Sequence, residues 1–135
     1  MKYLIILLFT LNTYGLDEAE YRTVFTAIAK IESSLNPKAY NRKENAVGIV
    51  QIRKLYLIDA NKQLGTNYKH RDCYDVTVSY KLFKAYMKGY KATTFEECIR
   101  LHNLGPRWKR KSWKADIFYN KVIERTPSIR TYYVS

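Results

Sequence analysis

Residues 31–52 read IESSLNPKAYNRKENAVGIVQI, and how this stretch divides decides the fold. Its first residues close an apolar helical run. Asn36-Pro37 ends any continuation, because proline lacks the backbone donor and pushes the residue before it out of helical geometry. Residues 38–46 are polar and loop-like. Val47 to Ile52 is short and apolar, which predicts the start of a second helix running through Leu57 and Ala60 toward Leu64-Gly65. Glu32 stands at the seam between helix and turn. From Ile28 and Ile31 the helical period puts it beside the apolar stripe. A carboxylate there, roofed by the Gly48–Ile52 segment, would lose solvation and have its pKa raised. A general acid working near neutral pH needs that shift. From the period alone, a surface glutamate paired with Lys30 or Arg22 is the commoner case.

Working outward, Asp17 to Ser34 reads as the first long helix, with Asp17 as cap and Glu18 and Glu20 at the positive end of its dipole. Val24, Ala27, Ile28, Ile31 and Leu35 should form its buried face. Beyond a polar connection at 66–73, Asp75 can cap a helix running to Lys88, with Val78, Leu82, Phe83 and Tyr86 inward and Gly89 as stop. Thr93 or Thr94 caps the next, whose core residues are Phe95, Cys98, Ile99 and Leu101, and which Asn103-Leu104-Gly105-Pro106 breaks. A last helix is expected over Trp113 to Arg125, with Ile117, Phe118 and Val122 inward and Pro127 beyond its end. The pattern is all-α, five or six helices in one domain, with no repeat or low-complexity tract.

The chain has 135 residues, a formal charge of +12 and 13 tyrosines. That length supports one compact domain. The charge suits an anionic partner, whether nucleic acid, acidic lipid or an acidic wall polymer. Arg107, Lys109, Arg110, Lys111 and Lys114 cluster around Trp108 and Trp113. The aromatics could stack on sugar faces while the cations attract carboxylates, though such a cluster would also hold phosphate without sequence preference. At the N-terminus a single lysine precedes an apolar run from Tyr3 to Phe9, which fits a secretory signal over residues 1–15. The alternative is a buried N-terminal element. The run is short for a membrane span, and nothing later looks transmembrane. In an exported chain Cys73 and Cys98 could pair as one disulfide, with two buried thiols as the alternative. Two cysteines and two separated histidines do not make a metal motif.

Three fragments then carry a resemblance. Glu32-Ser-Ser-Leu-Asn-Pro-Lys-Ala39 followed by Ala46-Val-Gly-Ile-Val-Gln-Ile52 resembles the signature of soluble lytic transglycosylase domains, members of the lysozyme-like superfamily that cleave peptidoglycan. His102-Asn-Leu-Gly-Pro106 is similar to that family's Tyr-Asn-Ala-Gly-Pro element, and Tyr119 to Val122 to its closing one. Their order and separation are right over roughly residues 20 to 125. The resemblance implies a single lysozyme-like domain over residues 16–126 with helices around a glycan-binding cleft, followed by a tail at 127–135. It implies that Glu32 protonates the oxygen between N-acetylmuramic acid and N-acetylglucosamine. The same residue then acts as base while the muramoyl C6 hydroxyl closes a 1,6-anhydro ring.

The remaining roles follow from the same resemblance. Gly48 permits close approach of the main chain behind the glutamate, and Gln51 points into the cleft to bind sugar or backbone. Asn103 holds saccharide or orders the cleft wall, against an ordinary role in ending a helix. Tyr119 lies near the glutamate, against an ordinary role in the core. His102 replaces a tyrosine; it could stack on sugar and would add a titration near the usual histidine value of about 6.5. Asn41 stands nearest to a serine that often bonds the glutamate. No metal or organic cofactor is implied. The partner is the peptidoglycan strand, with a secretion, conjugation or phage apparatus as a further one and a periplasmic or extracellular setting. A lysozyme-type hydrolase of the same bond, a noncatalytic wall-binding module and a small basic nucleic-acid-binding protein are the competing readings. The last accounts for the charge but not for Glu32 or Gln51.

Overall fold

The computed structural model describes residues 15–129. Among them are five α-helices: α1 (Glu18–Ser33), α2 (Lys54–Leu64), α3 (Val76–Gly89), α4 (Phe95–Leu104) and α5 (Ser112–Arg125). A two-stranded antiparallel ribbon, β1 (Tyr40–Asn41) with β2 (Ala46–Val47), lies between α1 and α2. Single 3-10 segments at His70–Tyr74 and Gly105–Lys111 lead into α3 and α5. The fold is all-α, as the sequence implies. The expected signal lies outside the described residues except for Gly15. No helix among the described residues is long and apolar enough to cross a membrane.

Caps set the helix starts where the sequence places them. The Asp17 carboxylate accepts from the Glu20 amide and the Glu20 carboxylate from the Asp17 amide, a reciprocal box that satisfies two of the open donors of α1. Asp75 accepts from the amides of Thr77 and Val78 at the start of α3, and Thr94 from that of Glu97 at the start of α4. α1 stops where Ser34 and Leu35 both turn left-handed, at φ 55° and 63°. This turn carries Leu35 out of the stripe, and it is exposed instead of buried.

The second helix starts later than its apolar onset suggests. Val47–Ile52 folds back on itself, with Val47 and Ile52 exchanging backbone hydrogen bonds of 3.0 and 2.9 Å, and helix begins only at Lys54. Two residues inside the segment forbid helix. Gly48 has φ 86° and Gln51 has φ 57°, both on the left-handed side that a right-handed helix excludes. The segment is apolar because it is buried, not because it is helical. Ala46, Val50 and Ile52 are fully enclosed.

α2 packs on α3, α4 on α5, and α1 runs against α3, α4 and α5. Val24 and Ile28 from α1, Leu82, Phe83 and Met87 from α3, Ile99 from α4 and Val122 from α5 share one core with Val50 and Ile52. Each such side chain contributes roughly 1.5–3 kcal/mol on leaving water. Phe25 meets Phe83 and Tyr80 edge-on, with ring centroids 5.4 and 5.2 Å apart. Ile117 does not join them: it lies on the outer face of α5, 54% exposed. The C-terminal segment reaches back into the core through Ile129, which is fully buried.

Cys73 and Cys98 are both free and buried, a correction to the expected disulfide. Each packs as a small apolar side chain in the core. Burial pushes both thiols up to about 12, so neither is a ready thiolate.

Candidate active site

α1 delivers Glu32 to the lining of a cleft of about 470 Å³, one residue before the helix ends. The hydroxyl of its neighbour Ser33 donates to the Ile49 carbonyl at 2.6 Å. It also accepts from the Asn36 amide at 3.1 Å, so one serine ties the helix end to both segments that follow.

The Gly48–Ile52 segment sits against this helix end, and its shape depends on Gly48. A Cβ at that position would stand 2.0 Å from the Cys73 carbonyl oxygen. Only glycine tolerates both that approach and its positive φ. Gln51 lines the cleft. Its amide nitrogen donates to the carbonyls of Ala39 at 3.2 Å and Gly48 at 2.8 Å. Both donors are therefore used internally, and the side-chain oxygen remains as an acceptor for a ligand.

The Glu32 carboxyl is half-buried, and among the described residues no hydrogen bond or ion pair holds it. Burial raises its pKa to about 7. The nearby Arg53 guanidinium opposes that shift and the Glu44 carboxylate adds to it. The group can thus carry or release a proton at neutral pH, as a general acid that later turns base requires.

His102 lines the same cleft but is enclosed, only 6% exposed. Its Nε2 lies 2.7 Å from the Val50 carbonyl and its Nδ1 3.1 Å from the Tyr56 hydroxyl. A carbonyl can only accept, so Nε2 carries the hydrogen and Nδ1 accepts from Tyr56. Burial lowers its pKa to about 4, partly offset by the Val50 bond, with Arg53 lowering it further. The expected titration near the usual histidine value is therefore absent. His102 is a neutral strut that fixes the Val50 backbone behind Glu32.

Three other expected site residues stand elsewhere. Asn41 is exposed on β1, where its side-chain oxygen accepts from the Glu44 amide at 3.2 Å; it shapes the ribbon's turn and does not bond Glu32. Asn103 does not line the cleft; its backbone carbonyl serves there indirectly, accepting from Arg53 Nη1 at 3.3 Å. Tyr119 also lies outside the cleft lining, its ring 4.7 Å beneath the Arg100 guanidinium. Trp108 has two cations near its ring, Arg100 at 5.9 Å and Lys109 at 5.5 Å, while Trp113 is 63% exposed.

In their place the cleft holds residues that the motifs do not flag. Tyr56 stacks on Tyr86 with centroids 3.7 Å apart and planes 12° off parallel. Asp59 accepts a 2.6 Å bond from Tyr90. Arg53 reaches Glu44 through Nη2 at 3.1 Å. The positions Arg53, Tyr56 and Asp59 follow the Gln51 motif at the start of α2, the one signal that could have pointed to them. No group of three or more metal-ligating side chains occurs among the described residues.

The profile of one protein family, the Transglycosylase SLT domain, matches residues 11–121. Comparison with curated proteins yields no match.

Proposed function

Because the chain belongs to the transglycosylase SLT domain family, whose members act on peptidoglycan, we propose that it is a lytic transglycosylase with Glu32 as its acid and base. The observation that carries this reading is a half-buried carboxyl in the lining of the cleft, raised to about 7 by loss of solvation. Protonated, Glu32 donates to the glycosidic oxygen between the muramoyl and glucosaminyl sugars. The bond breaks, and positive charge develops at the anomeric carbon. The carboxylate then takes the proton of the muramoyl C6 hydroxyl as that oxygen closes on the anomeric carbon, giving a 1,6-anhydro end and returning the proton to Glu32. Gln51 offers its side-chain oxygen to a sugar hydroxyl or amide. The Tyr56–Tyr86 stack forms an apolar wall, and His102 holds the backbone rigid. This action belongs where the wall is, in the periplasm or outside the cell, alone or beside a secretion, conjugation or phage apparatus.

Hydrolysis of the same bond is the second reading, because Glu44 and Asp59 also line the cleft. Each is already engaged, Glu44 by Arg53 and Asp59 by Tyr90, which favours the transglycosylase reading over a water-activating carboxylate. Mass spectrometry of soluble muropeptides separates the two. Anhydromuramoyl ends made by the wild type and absent with Glu32→Gln are the expected result. Reducing muramoyl ends that depend on Glu32 would make the protein a lysozyme, and no Glu32-dependent product would make it a binding module.

A further inference from the structure

The cleft contains a cation that acts on Glu32 only through its charge and whose hydrogen-bond donors the acid–base chemistry does not use. Arg53 stands at the N-cap position of α2, its side chain free of any capping bond, and lines the same cavity as Glu32 and Gln51. One nitrogen, Nη1, is anchored on the Asn103 carbonyl at 3.3 Å, which fixes the head group at the end of α4. The other, Nη2, takes Glu44 at 3.1 Å. A guanidinium has five N–H donors in a planar fork matched to a carboxylate, so this anchoring leaves donors free. Its partner is poorly held. Glu44 comes from the turn between β1 and β2, and the two side chains are 42% and 47% exposed. Ion pairs this open are worth little and exchange partners readily.

We propose that Arg53 is the receptor for a free carboxylate on the peptide stem of the glycan strand, with Glu44 occupying that place until substrate arrives. This rests on the reading of the substrate as peptidoglycan. The stem carboxylate displaces Glu44 from Nη2 and engages the fork while Nη1 stays on the Asn103 carbonyl. Glu44 swings to solvent on its exposed turn, and no covalent step is involved. Lys54, next in sequence and also lining the cleft, adds a second positive charge on that side. Asp59, the remaining carboxylate of the lining, is occupied by Tyr90 and does not compete. The exchange gives the enzyme a preference for walls whose stems keep their carboxylates over walls whose stems are amidated.

The test compares soluble glycan strands with intact stems against the same strands after carbodiimide coupling to ammonia, which turns stem carboxylates into amides and spares the sugar hydroxyls. Salt of roughly 0.3 M, where charges are screened beyond about 6 Å, suppresses the general attraction of a basic protein for an anionic polymer. Amidation is expected to lower wild-type kcat/KM about tenfold, mainly through KM, the size of one charge-assisted bond. Arg53→Gln should shrink that gap to about twofold, and Glu44→Gln, at an exposed turn, should widen it by removing the competitor. An equal gap in wild type and Arg53→Gln, no gap in the wild type, or no change with Glu44→Gln would overturn the proposal. Affinities of the Glu32→Gln protein for both strand preparations, with and without Arg53→Gln, are measured alongside. An Arg53-dependent preference in binding without turnover in the wild type would overturn the cleavage reading and leave the receptor standing.

Discussion

The titration of Glu32 links activity and stability in the same sense, both declining as pH rises. The protonated form starts the reaction, so the rate should fall as pH rises through about 7. His102, held near 4, should contribute no second ionisation above about pH 5. A rate profile with one high-pH ionisation in the wild type is the expected outcome, and two would show that His102 titrates in the cleft. The sign for stability follows from the folded pKa lying above its ordinary value of 4.5. The folded state then holds the proton more tightly than the unfolded chain. Its contribution is fully present below about 4.5 and is lost as pH rises through about 7. Glu32→Gln has no proton to lose. Urea titrations above about pH 8 should find it more stable than the wild type by on the order of 2–3 kcal/mol, the gap closing at acid pH. At this scale the sequence marks Glu32, Gly48 and Gln51 through contiguous motifs. It does not reveal that Arg53 binds the carbonyl of Asn103 fifty positions away, nor that His102 is enclosed, because burial is decided by what distant helices lay over a residue.

Helix starts are legible from local chemistry, since a cap and its amides lie within a few residues of one another. Asp17, Asp75 and Thr94 all cap where their side chains predict. The segment between Val47 and Ile52 is not legible in the same way. A short apolar run reads equally as buried helix or buried turn, and the choice is made by the Cys73 carbonyl pressing on Gly48 from another part of the chain. Gly48→Ala tests that contact. The new methyl group must displace backbone and adopt a positive φ, so a loss of roughly 2–4 kcal/mol is expected in denaturant titration. Activity should fall as well, because Gln51 and the Val50 carbonyl are carried by the same turn. A change below about 1 kcal/mol would mean that the turn yields easily.

For the molecule as a whole, composition indicates one basic domain but does not show where its core ends. Pro127 ends α5 as expected, yet the chain continues inward. Ile129 is fully enclosed and belongs to the same core as Val122 and the buried residues of α1. Ile129→Ala should therefore cost about 2–5 kcal/mol in thermal or urea unfolding, as for any large core side chain, and a change near zero would show this inward contact to be dispensable. The two thiols carry a different consequence. Since Cys73 and Cys98 fill apolar space without bonding to each other, maturation asks nothing of an oxidase or isomerase. The chain can reach its native state in reducing and oxidising surroundings alike. Refolding in dithiothreitol should give the same yield, melting temperature and turnover as refolding in air. A drop under reductant would mean that a covalent crosslink holds the working form together.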